Sequence, residues 1–68
     1  MWNPATDTNI EDAAISMNNL LELLDLMYFN FNTMGPNQAK ALTGLALSIS
    51  SDVSIWMREE EKRREQTN

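Results

Sequence analysis

Two apolar stripes, broken only by Gly35-Pro36, run through nearly the whole of this 68-residue chain. Ile10, Ala13, Met17, Leu20, Leu24, Met27 and Phe31 make the first. Ala39, Leu42, Ala46, Ile49, Val53 and Trp56 make the second. Both step by alternating threes and fours, the spacing that brings side chains onto one face of an α-helix. The pattern predicts an all-α protein, an antiparallel helical hairpin with helices over about 9–32 and 36–65. Residues 1–7 are then an N-terminal arm, 8–65 the hairpin domain and 66–68 a frayed end.

The predicted ends have local chemistry. Pro4 keeps the arm out of a helix and biases Asn3 toward extended backbone. Thr8 and Glu11 have the spacing of a capping box, and Glu11 and Asp12 sit where the helix dipole favours anions. Gly35 fits a C′ or N-cap position and Pro36 a first helical position. A connection this short makes the helices antiparallel neighbours. At the far end, Glu59 with Arg63 and Glu60 with Arg64 are i,i+4 pairs in the favourable order.

A chain of this length buries a small share of its surface, so it needs an aid to stability. Cysteine and histidine are both absent, which removes disulfides, the commonest transition-metal ligand and the commonest general base. Oligomerisation remains, and a four-helix bundle dimer or higher homo-oligomer is expected. The first helix supports this. Ala14, Leu21 and Tyr28 flank its stripe on one side and Leu23 on the other, while Ile15, Leu26 and Phe29 point toward the opposite surface. One hairpin has no use for a second apolar face. On the second helix Ala41, Gly44, Ser48 and Ser51, ending at Ile55, form a stripe of small residues. That stripe either admits another backbone closely or is simply solvated. Trp2 is open to two readings as well: it folds back on the bundle end, or it anchors a partner.

The net charge is −5. Residues 1–39 carry Asp7, Glu11, Asp12, Glu22 and Asp25 with no Lys or Arg, whereas 40–68 carry five cations and five anions. An acidic first helix argues against nucleic-acid and anionic-membrane partners. Glu22, Asp25 and Asn30 interrupt the greasiest stretch, Leu20 to Phe31, which is too short to span a bilayer. The N-terminus shows no basic region ahead of an apolar run, so a cytoplasmic location is expected.

Of chemistry-bearing constellations, Glu22 and Asp25 form an E-x-x-D pair of the kind that all-α nucleotide pyrophosphatases of the MazG type use for Mg²⁺, with the partnering E-x-x-E missing. No phosphate loop, di-iron motif or nucleophilic triad is present. No catalytic residue, cofactor or metal is expected. In overall style, a short acidic two-helix chain with an aliphatic first helix and a charged tail, the sequence resembles the small two-helix proteins carried by bacteriophages and prophages, and in architecture the hairpin co-chaperones of type III secretion. The resemblance implies a non-enzymatic accessory protein that binds a host or defence factor. Its contact residues would be Trp2, Ile15, Leu26, Phe29, Ala41, Gly44, Ser48, Ser51 and Ile55. The alternatives are a nucleotide-binding oligomer, drawing on Lys40 or Arg58, and the pyrophosphatase.

Overall fold

A computed structural model describes residues 2–67. Helix α1 runs Ile10–Asn30, a 3₁₀ turn covers Phe31–Thr33, and helix α2 runs Pro36–Thr67. The described residues contain no strand. The two helices pack as an antiparallel hairpin within a rod of 50 × 21 × 16 Å.

The start of α1 is set by a run of Asn and Asp side chains that bond backbone amides two residues on. Asn3 Oδ1 accepts from Ala5 N at 3.0 Å, Asp7 Oδ1 from Asn9 N at 2.8 Å, and Asn9 Oδ1 from Glu11 N at 2.9 Å. Asn9, not Thr8, is therefore the N-cap. Both residues suit the position, and the Asp7 bond that fixes the Asn9 amide decides between them. The arm is folded rather than extended: the amides of Thr6 and Asp7 both bond back to Asn3 O.

At the other end, α1 stops at Asn30, two residues before the expected end. The Asn30 side chain donates to Leu26 O at 2.9 Å, and Thr33 Oγ1 donates to Asn30 O at 2.9 Å. Side chains thus satisfy carbonyls that have no further helical turn to serve. Gly35 O accepts from Ala39 N at 2.9 Å, which makes Gly35 the N-cap of α2 with Pro36 at the first helical position. The expected end of α2 at 65 is exceeded by two residues. Of the end expected to fray, residues 66 and 67 are helical and Asn68 lies outside the described residues.

The face of α2 turned to α1 is the one read from sequence. Ala39, Leu42, Ala46, Ile49, Val53 and Trp56 are all buried or half-buried. The face of α1 is so only in part, at Ala13, Leu20 and Met27. Ala13, Ser16, Leu20, Leu23 and Met27 turn inward, whereas Ile10, Met17, Leu24 and Phe31 of the expected seam are exposed. Only Ala13, Ala46 and Trp56 are buried among the described residues.

Candidate functional site

With so small an interior, the chemistry of this protein is that of its surface. The exposed apolar residues of α1 and of the turn that follows it fall into two groups. Ile10, Ala14, Met17, Leu21, Leu24, Tyr28 and Phe31 step by four and three without interruption, and each of them is exposed. At 3.6 residues per turn this line lies about 100° around the helix from the face packed on α2. Met17, Leu21 and Leu24 line one shallow hollow, and Leu24, Tyr28, Phe31 and Asn32 line the next. Leu24 belongs to both, so the two hollows adjoin as one groove, apolar along its length with Asn18, Asp25 and Asn32 at its edge.

Ile15, Leu26 and Phe29 lie on the side of α1 away from that groove, and all three are exposed, Phe29 at 78%. The ring of Phe29 meets that of Tyr28 edge-on, with centroids 5.2 Å apart and planes at 87°. This aromatic pair stands at the turn end of α1, where Tyr28 is 79% exposed. On α2, Ala41, Gly44, Ser48 and Ser51 are exposed. Nothing lies within 4 Å of a Cβ placed on Gly44. Ile55 differs from the other four in being half-buried. Trp2 is half-buried, and its indole N–H, like that of Trp56, is shielded and has no acceptor among the described residues. The nine sequence-derived contact residues therefore do not converge on one patch. The groove, which the sequence reading divided between interior and flank, is the continuous surface.

A third hollow opens where the start of α1 meets the C-terminal part of α2. Ile10, Trp56, Met57 and Arg58 line it together with Glu60, Glu61, Arg64 and Glu65. Three carboxylates beside two guanidiniums give it no positive field for a phosphate. Within this end of α2, Arg63 reaches Glu60 at 2.7 Å, Arg64 reaches the other Glu60 oxygen at 3.1 Å, and Lys62 reaches Glu59 at 3.5 Å. The expected Glu60–Arg64 pair is formed, while Glu59 pairs with Lys62 in place of Arg63. The Arg63 hydrogen bond, then that of Arg64, holds the Glu60 carboxyl below the ordinary carboxylate value.

Glu22 and Asp25 are both exposed on α1. Among the described residues, no three His, Cys, Asp or Glu side chains come together as a metal cage. No helix among them is long and apolar enough to cross a membrane. No protein-family model, curated protein or solved structure matches the chain.

Proposed function

We propose that this chain is a non-enzymatic, homo-oligomeric helical protein that works by binding a protein partner. One observation carries the reading. The chain exposes 5403 Å², whereas a compact monomer of its mass exposes about 4,400 Å². The excess of about 1,000 Å² is of the size that one partner covers in a standard interface, about 800 Å², and Met17, Leu21, Leu24 and Tyr28 are among the side chains exposed. Self-association uses the groove of α1. The Ile15–Leu26–Phe29 side, with the Tyr28–Phe29 ring pair at its end, is then left for a different protein, since exposed aromatic anchors are the typical centres of such contacts.

The oligomer is tested by mass and by melting. Native mass above one chain, with a midpoint temperature that rises with protein concentration, is expected. A single-chain mass with a concentration-independent, cooperative melt refutes it. Partner binding is tested by comparing capture from host lysate on the wild type and on Leu26→Lys/Phe29→Asp. The variant should keep its mass and lose the captured protein.

The second reading, nucleotide binding between protomers, would use the hollow lined by Arg58 and Trp56. Its charge balance places it behind the first. Stabilisation by ATP at micromolar concentration would reverse that order.

A further inference from the structure

We propose that the occupant of the α1 groove is a second copy of α1, lying antiparallel to the first, with Leu21 of each chain opposite Leu24 of the other. This inference rests on the homo-oligomeric reading above and adds the surface, the direction and the register.

Three observations lead to it. The first is geometry. A helix in a four-helix bundle faces two neighbours at roughly a right angle. Helix α1 has that layout, with one face on α2 and an unbroken heptad line about 100° around. In heptad terms Ala14, Leu21 and Tyr28 take the a positions and Met17 and Leu24 the d positions, while Phe31 follows in the 3₁₀ turn. The second is size matching. With Leu21 opposite Leu24, Met17 falls opposite Tyr28, and the small Ala14 comes to the end of the partner helix, where the large Phe31 begins the turn. Every layer then pairs a smaller side chain with a larger one, or two leucines.

The third is charge, and it selects the direction. The residues flanking the line on its outer side are Glu11, Asn18, Asp25 and Asn32, seven apart and alternating acid with amide. Helix α1 carries four carboxylates and no cation, so a second α1 must be placed where acids do not meet. Antiparallel pairing in this register sets Asp25 against Asn18 on both sides of the two-fold axis, and points Glu11 toward the turn that carries Asn32. Sliding one helix by a heptad brings Glu11 against Asp25. Parallel pairing turns each acid onto the apolar flank formed by Ala13, Leu20 and Met27. The amides accept no such penalty, because each can donate to the carboxylate it faces.

The chain lacks cysteine, so introduced thiols report without interference. The wild type at tens of micromolar should sediment at twice the 7.8 kDa chain mass. Leu24→Glu should weaken the dimer by about 100-fold or more, because the two-fold axis repeats the change. Met17→Lys, at a second exposed position of the line, should do the same with helicity kept. An oxidised mixture of Asn18→Cys and Asp25→Cys chains should yield mainly the mixed 18–25 disulfide. A wild-type monomer overturns both this proposal and the homo-oligomeric reading. An oligomer that survives Leu24→Glu and Met17→Lys unchanged overturns the surface and leaves the oligomer standing. A preference for 18–18 or 25–25 disulfides overturns the register.

Discussion

Among the described residues Trp56 is the only large side chain that the hairpin buries, at 4% exposure, and its indole N–H is shielded with no acceptor among them. These two facts act in opposite directions, and a pair of substitutions separates them. Trp56→Ala removes the packing and the orphan donor together. Truncations of this kind cost about 3–5 kcal/mol. A domain of this length has roughly 3–10 kcal/mol in total, so the variant should be largely unfolded at low protein concentration. Trp56→Phe keeps most of the packing. It gives up roughly 50 Å² of buried surface, or about 1.2 kcal/mol at 25 cal/mol per Å². It also removes a buried unpaired donor that costs about 1–3 kcal/mol. The two offset one another, and the expected change lies between about zero and about 2 kcal/mol of added stability. Urea unfolding followed by circular dichroism at 222 nm, at one fixed protein concentration, gives both values from midpoint and slope. A Trp56→Phe variant as unstable as Trp56→Ala would refute the reasoning. It would mean that the indole is held by its N–H, and that the donor is satisfied in solution.

Asn9→Ala should lower stability by about 1 kcal/mol, the usual cost of a lost N-cap, while Thr8→Ala should be near neutral; thermal melts of both variants decide which residue caps α1. Gly44→Ala should raise stability by about 0.8–1.0 kcal/mol, since the position is mid-helix and the added methyl meets nothing. An accompanying fall in native mass would instead show that another backbone approaches Gly44. Acidification should loosen the end of α2. The folded-state pKa of Glu60 is depressed by Arg63 and then Arg64, so its support is complete above the unfolded carboxylate value and is lost as pH falls through the lower folded one. Carbon chemical shifts over residues 60–66 should report less helix there at pH 3 than at pH 6, and Glu60→Gln should remove most of that pH dependence.

The sequence was informative where apolar residues were scarce. On α2 the line from Ala39 to Trp56 is the longest apolar one, flanked by serines with Leu45, Leu47 and Met57 left exposed beside it, and it is the line that turns inward. On α1 the apolar residues surround most of the helix. A line through Met17 and Leu24 and another through Leu20 and Leu23 both satisfy helical spacing. The line actually used contains Ser16, a hydroxyl that period-counting marks against it. The inward face was settled by what α2 offers, two alanine-lined approaches at Ala39 and Ala46 and one bulky end at Trp56, and that is tertiary information. The same ambiguity hid the candidate groove, because its members were divided between interior and flank. The turn was legible through Gly35-Pro36, whose roles depend on backbone chemistry alone. The N-cap was not, since Thr8 and Asn9 are both good caps and the choice depends on a bond from Asp7.

The unequal helices have a dynamic consequence. Helix α2 has 32 residues and α1 has 21, so the last turns of α2 run beyond the start of α1, with three ion pairs within their own helix. Local opening free energy follows how much packed surface must be broken. Amide hydrogen exchange should therefore be graded along this one helix, slowest around Ala46 and Trp56 and fastest toward Gln66. That gradient makes the C-terminal turns a built-in sensor. Any molecule that grips them would slow exchange there first, in a helix whose backbone trace need not change at all.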